Sequence, residues 1–589
     1  MGDSTLRIAN CSGFYGDRLS AAREMVEGGP IDVLTGDYLA ELTMMILFKD
    51  RMKNPEAGYA RTFLKQMEEV LGTCVKRGIK VVSNAGGLNP SGLAAELEKL
   101  CARLGIQAKI AYIEGDDLLP RLAALQEQGV DLRHMDKGIP LSSLSAPIVT
   151  ANAYLGGWGI VEALRRGADV VVCPRVTDAA LTLGPAAWKF GWARDDWDRL
   201  AAAVVAGHII ECGAQCTGGN YSFFNEVTNI DRIGFPIAEI HADGRFAITK
   251  HPNTGGLVSV GTVTAQLLYE IQGPRYFNPD VTARFDSIHI EPEAPDRVWV
   301  SGVKGEPPPA TNKVCINYLG GYRNAMTFVL AGLDIEEKAR VAEETLWRLV
   351  GGKERFHEVD VRLIRTDRPD PASNDEAFAF LRVTVKDSDA TRVGRAFSSK
   401  AVEMALANYP GFLITALPGE GSPFGVYWPA LIPAELVEPR VRMGDQTIVI
   451  PPVPPATGHY EACLPSNEIP AAPAGPTHRL PLGAICGARS GDKGGNANVG
   501  VWVKTPAQFA WLKSFLTIER LRQLLTEAAA LTIERYEFPN LLSLNFLIYG
   551  LLGDGVSAST RTDPQAKSLG EYLRAKLVEI PRVLLDPEA

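Results

Sequence analysis

No apolar run in this chain is long enough to cross a bilayer. The best, "LTMMILF" from Leu42 to Phe48, falls far short of the ~20 residues that a spanning helix needs. The amino-terminal "MGDSTLRIAN" lacks a charged-then-apolar export signal, and Leu6 stands where myristoylation needs Ser or Thr. Basic charge is not in excess either. The 60 Lys and Arg against 69 Asp and Glu leave a net charge of −9, and phosphate binding wants a basic face. The nine cysteines are scattered without a paired framework, as in a reducing compartment. No G-x-G-x-x-G follows the first strand-like run, and no G-x-x-x-x-G-K-[ST] occurs. These absences make a cytosolic protein the expectation, with no nucleic acid and no membrane among its partners. A local basic pocket for an anionic metabolite stays open.

What is present is an ordinary globular composition, 46% hydrophobic and 22% charged, in 589 residues, which is too long for one core. Over residues 1–215 an apolar β-branched run, a Gly/Asp/Asn loop and a helical pattern recur. Examples are "LRIANC" into "LSAAREMVEGG", "IDVLTGDY" into "LAELTMMILFKD" and "IKVVSNAGGLNPSG" into "LAAELEKLCARLG". Buried-type strands alternating with amphipathic helices predict right-handed crossovers and a parallel sheet, an α/β, Rossmann-like domain. Residues 216–448 read as mixed α+β. "IAEIHADGRFAITKH" is a hairpin with Asp243-Gly244 at its turn, and "FDSIHIEPEAPDRVWVSGVKG" is a second. Residues 449–478 are a Pro/Ala-rich linker, and 479–589 a small α+β domain.

Every loop after a strand of a parallel sheet projects to one edge, where ligands bind. That edge would gather Ser12, Gly13, Asp17, Thr35, Asp37, Ser83, Asn84, Gly86, Gly87, Asn89, Asp116, Asp117, Arg175, Thr177 and Asp178. The plain alternative is that each Asp or Asn caps the helix it precedes. Crowded carboxylates would repel, so Arg175, a cation such as Mg²⁺, or a shared proton would have to compensate. An Asp so perturbed is a usable general base.

In "GHIIECGAQCTGGNY", His208, Cys212 and Cys216 recur every four residues, and a zinc site would need them on one helix face. "HIIEC" reads as strand and the glycines oppose a helix, so packing cysteines are favoured. A reactive Cys216 beside Thr217, Gly218, Gly219 and Asn220 is the functional alternative. "KHPNTGGLVSVGTVTAQLLYEI" sets His251, Asn253 and Thr254 before a helix start, where an anion would be welcome. "GARSGDKGGNANVGVWV" reads as an extended loop in which Ser490, Asp492, Lys493, Asn496 and Asn498 bind something polar or dock on the first domain's rim.

Six motifs in order, "NCSGFYGDR", "VLTGDYLAELTM", "SNAGGLNP", "GHIIECGAQCTGGN", "HPNTGGLVSVGTVTAQLLYEIQGP" and "ARSGDKGGNANVGV", resemble the acyclic terpene utilisation protein AtuA family over nearly the whole chain. The resemblance implies a large AtuA domain to about residue 450 and a ferredoxin-like carboxy-terminal domain. It also implies a catabolic role beside acyl-CoA carboxylases, dehydrogenases and hydratases. On that footing the first expectation is an enzyme of branched acyl-CoA breakdown, a lyase or hydro-lyase, expected to be a homo-oligomer, with CoA entering as part of the substrate. Asp37 or Asp178 would be the base. The amides of Gly86 and Gly87, or of Gly218 and Gly219, would face the enolate oxygen, and Lys493 or Arg175 would meet a phosphate or carboxylate. Two other readings stay open: a non-catalytic partner of a biotin-dependent carboxylase, and a metal-dependent hydrolase using the Asp cluster.

Overall fold

The computed structural model describes residues 5–454 and 471–585. Most of the presumed linker 449–478 thus lies outside the described residues. The described chain divides into two compact units, one of Met1–Asn317, Tyr427–Val556 and Asp563–Ala589, the other of Tyr318–Val426 and Ser557–Thr562.

At the centre of the first unit is an 11-stranded mixed sheet. Its parallel block runs Leu6–Asn10, Val33–Gly36, Lys80–Ser83, Val170–Val172, Ile110–Glu114. Val33–Gly36 and Val170–Val172 are buried along their whole length, as strands covered on both faces must be. On one face Leu34, Val81 and Val172 pack with Phe63, Met67 and Leu71 of helix Arg61–Arg77 and Leu93 and Leu97 of helix Pro90–Leu104. The strand order is not the 3-2-1-4-5-6 of a Rossmann sheet. Antiparallel strands extend the block at both ends, Pro236–Ile240 beside Leu6–Asn10 and Arg440–Met443 beside Ile110–Glu114. The sheet therefore draws strands from both sides of residue 215. Both expected hairpins form, Pro236–Ile240 with Phe246–Lys250 and His289–Ala294 with Arg297–Ser301.

"HIIEC" corrects the strand reading: it ends helix Trp197–Ile210, in which every residue from Leu200 onward is buried. A helix apolar on all sides carries no amphipathic signature, so its β-branched residues mislead. The helix Val260–Leu267 is capped by Ser259, whose Oγ accepts from Thr262 N at 3.2 Å, not by His251, Asn253 or Thr254.

The glycine-rich stretch is not a loop. Gly487–Lys493 and Asn496–Trp502 form a hairpin closed by Gly494-Gly495, with Gly494 at φ 66°. With Ser543–Ile548 and Ile533–Phe538 they make a four-stranded antiparallel sheet. Strand alternation explains the composition. Ala497, Val499 and Val501 enter the core of the carboxy-terminal domain with Leu544, Phe546 and Ile548. Asn498 and Gly500 face the other way, towards residues 268–270. A Cβ on Gly500 would lie 2.4 Å from Leu268 Cβ, and one on Gly491 2.5 Å from the Tyr269 ring. Two fully buried amides clamp the same segment. Asn498 accepts from Glu270 N at 2.8 Å and donates to Leu268 O at 2.9 Å, and Asn545 donates to Gln272 O at 2.6 Å.

The second unit has its own antiparallel sheet, in which Phe378–Asp387 pairs with Glu358–Arg365 and with Thr311–Ala331. Helix Ile335–Val350 lays Ala342, Leu346 and Val350 into its core. Among the described residues no helix is long and apolar enough to cross a membrane.

Candidate active site

The carboxyl ends of the parallel strands bring together part of the expected rim. Asp37 directly follows Val33–Gly36, and its Oδ1 accepts from Asn84 Nδ2 at 2.6 Å and Leu39 N at 3.0 Å. Arg175 follows Val170–Val172 and is 2% exposed. It donates to Leu39 O at 2.9 Å, places Nη2 3.4 Å from Asp178 Oδ1, and stacks 4.3 Å from the centroid of Tyr154. Burial and the nearby Asp178 carboxylate push the Asp37 carboxyl well up, with Arg175 and Asn84 opposing. Asp178 keeps 28% of its side chain exposed, yet the protein around it also raises its carboxyl, against the pull of Arg175. The two acids act on one another and on the same arginine.

Around this pair stand Glu41, Glu211 and Glu270, which the sequence motifs do not mark, together with His208, Asp492 and Lys493, which they do. Burial works against ionised Glu41, but Lys313, 3.4 Å away, Arg175 and the Tyr154 hydroxyl, which donates at 2.7 Å, hold it well below the usual carboxylate range. Glu211, at the end of the buried helix, is raised by burial and by Asp178 and Glu270, and its Oε2 has no hydrogen-bond partner. His208, 3.3 Å from Glu211, is lowered to about 4 by burial and by Lys493. From residues 268–272 and the carboxy-terminal hairpin come Glu270, Asp492 and Lys493. Burial raises both acids, and burial with Lys313 nearby lowers Lys493. Lys493 Nζ donates to Glu270 O at 2.9 Å, and Glu270 adopts φ 54°, a conformation that costs a non-glycine residue about 1–2 kcal/mol and collects at functional sites. The signal that would have exposed Glu211 and Glu270 is a lone acid inside an apolar run, "HIIEC" and "LLYEIQ", with no local partner.

Other expected site residues have structural duties. Asn89 caps helix Pro90–Leu104, accepting from Gly92 N at 2.9 Å. Asp17 braces its own loop through Gly13 N, 2.8 Å, and Arg18 N, 2.7 Å. Gly13 is there because a Cβ would stand 2.6 Å from the Cys212 backbone. Ser12 donates to Phe14 O, Thr35 to Ala9 O and Ser83 to Gly36 O, and Asp117 accepts from Leu119 N. The expected oxyanion donors are consumed: Gly86 N by Cys173 O, Gly87 N by Asn84 O, Gly218 N by Gln215 O, Gly219 N by Ala214 O. Cys216 is fully buried with its thiol pushed up by burial, the setting of a packing cysteine rather than a reactive one. Thr217 is equally buried and donates to Ala214 O. Asn220 is an exposed turn residue at φ 57°. His251 bonds Met25 O at 2.8 Å in the core beneath Gly28 and Gly29, and Asn253, at φ 62°, makes the next turn. Ser490 accepts from Gly570 N, and Asn496 joins Asp136 to Gly550 N. Among the described residues no three His, Cys, Asp or Glu side chains are arranged to hold a metal ion, so neither the zinc trio nor an Asp-bound Mg²⁺ has a ligand set there.

Asp116 supports the site from behind. Its Oδ2 accepts from Asn152 Nδ2 at 2.7 Å and from Arg175 N at 3.3 Å, and burial raises it to about 7. A raised acid stabilises the fold below the ordinary carboxylate value and loses that contribution as pH climbs through its folded value. Moving a carboxyl from 3.8 to about 7 is worth roughly 4 kcal/mol. Asp116→Asn keeps an acceptor for Arg175 N, and Asn152, whose Oδ1 is unpartnered, can turn to receive the new amide. Urea denaturation at intervals from about pH 4 to about pH 8 is expected to give the variant the flatter stability profile.

Residues 6–443 match the family described as "Acyclic terpene utilisation family protein AtuA", and residues 480–579 match the "AtuA ferredoxin-like domain". No curated protein matches the chain. Among solved structures, S. aureus homoserine dehydrogenase at pH 6.0 is matched at 11% identity over 67% of this chain and 82% of that one. Its TM-score is 0.12, which carries no argument about fold or activity. With both segments in order and the first covering most of the sequence, the chain belongs to the acyclic terpene utilisation family AtuA.

Proposed function

We propose that this AtuA protein is a lyase or hydro-lyase acting on a branched acyl-CoA thioester, with the Asp37–Asp178 pair moving the proton next to the carbonyl. Family membership supports a role in acyclic terpene utilisation. The observation that carries the chemistry is the pair itself: two acids with raised carboxyls, one of them open to the site, beside a buried arginine. The ionised member takes the α-proton and the other keeps the shared one. The oxyanion role passes from the spent backbone amides to Arg175 and Lys313, whose positive charges already act on Glu41.

The test is solvent deuterium. Wild-type protein incubated in D₂O with a panel of branched acyl-CoA thioesters is expected to exchange the α-proton of at least one, read by mass spectrometry. Asp178→Asn is expected to slow that exchange by about a hundredfold or more. If the whole panel stays unexchanged, or the variant exchanges at the wild-type rate, the reading fails.

A further inference from the structure

We infer that Lys493 is a carbonyl-capturing amine, so that the centre takes substrates bearing a ketone or aldehyde and holds them as an imine. This rests on reading the Asp37–Asp178 cluster as an active centre and adds the class of group it accepts.

Lys493 is the last strand residue before the two-glycine turn, so its backbone position is set by the hairpin. One of its N–H donors is committed to Glu270 O at 2.9 Å, a carbonyl held in place by the left-handed Glu270 and by Asn498. Burial and Lys313 act on the amine against the pull of Glu270, Glu41 and Glu211. A lysine meant for a phosphate or a free carboxylate wants its charge intact and its donors free. Here one donor is spent on a backbone carbonyl, and burial and a second lysine disfavour the proton. Those are the conditions under which a lysine is nucleophilic. A second observation points to a ligand: Glu211 is only 8% exposed, and its Oε2 has no partner among the described residues. As a carboxylic acid it would give a proton to the oxygen forming at the captured carbonyl.

The neutral Nζ adds to the carbonyl carbon, the C=O π pair moves to oxygen, that oxygen takes the Glu211 proton, and the added nitrogen returns one proton to the Glu211 carboxylate, giving a neutral carbinolamine. Loss of the hydroxyl with one further proton releases one water, and the nitrogen lone pair closes the C=N bond. Breaking a C–H or C–C bond adjacent to the imine carbon sends its electron pair towards the protonated nitrogen as an enamine. Return of a proton to the enamine carbon regenerates the protonated imine, and re-addition of one water then frees the product and restores Lys493.

The test uses the full chain with acetone or 4-oxopentanoate and sodium borohydride, which reduces an imine to a stable secondary amine. Intact-mass measurement with peptide mapping is expected to find one alkyl group per chain, on Lys493, at least about tenfold above any other lysine at neutral pH, because a lowered amine exposes more of its free base. Lys493→Arg is expected to abolish the adduct and surface Lys504→Arg to leave it. Mapping on wild-type protein stands even if the arginine variant does not fold. Label spread evenly over lysines, or absent from Lys493, overturns the inference. Thioester α-exchange without label at Lys493 removes the imine alone; label at Lys493 with no α-exchange removes the thioester reading alone.

Discussion

Asp37→Asn is expected to lower α-proton exchange by about 10²- to 10⁴-fold while leaving the fold at least as stable as wild type above neutral pH. The substitution is nearly isosteric. Its Oδ1 keeps the hydrogen bonds from Asn84 Nδ2 and Leu39 N. Position is preserved and proton exchange is lost. The stability sign follows from the direction of the shift. Burial and Asp178 raise the folded carboxyl of Asp37, so its stabilisation is complete below the ordinary carboxylate value and disappears as pH rises through the folded value. Asparagine has no such loss. Rate and denaturation measured on the same samples, with Asp178→Asn and the double variant alongside, check both halves. The double variant should be little worse than either single one, because the two acids act as one group. Full exchange in Asp37→Asn would place the base elsewhere.

The same pair predicts the pH dependence of exchange. A base within a raised carboxyl pair becomes active above the ordinary carboxylate range, so the acidic limb of the rate profile should sit higher than a free aspartate would put it. Asp37→Asn should remove that limb along with the activity.

The half of the site built on the parallel strands was legible in the residues. Asp37, Asn84, Arg175 and Asp178 follow buried β-branched runs, and a parallel sheet must deliver such loops to one edge. Thr35 and Ser83 belong to the same loops but turn inward onto neighbouring carbonyls, a choice made by side-chain length and register. The second half was hidden for a different reason. Glu211 ends a helix whose buried residues show no periodicity, and Glu270 sits in a turn held by asparagines more than two hundred residues later. Neither position can be found from local pattern, since the partners are remote in sequence. Glycine density was also misleading. In "TGGN" and "AGGL" the amides are spent on backbone carbonyls, and in "GARSGDKGGNANVGVWV" the missing side chains make a flat sheet face rather than a flexible loop.

That face supports the second large prediction. Gly500→Val is expected to destabilise the protein by about 3 kcal/mol or more and to abolish chemistry at Lys493 in whatever fraction stays folded. A Cβ at position 500 would sit 2.4 Å from Leu268 Cβ, a group anchored to backbone that cannot swing aside like the end of a long chain. Overpacking of this kind alone costs about 1–3 kcal/mol. Lifting Leu268 also pulls Leu268 O and Glu270 N away from Asn498, whose amide is fully buried, and an unpaired buried amide adds roughly 1–3 kcal/mol more. Displacing Glu270 releases the carbonyl that holds Lys493 Nζ. Gly491→Val, which meets the Tyr269 ring at 2.5 Å, should act through the same segment but more gently, because a ring can tilt. Guanidinium denaturation and borohydride trapping on both variants test the coupling. A Gly500→Val protein with wild-type stability and full labelling at Lys493 would mean that the glycine face does not position the amine.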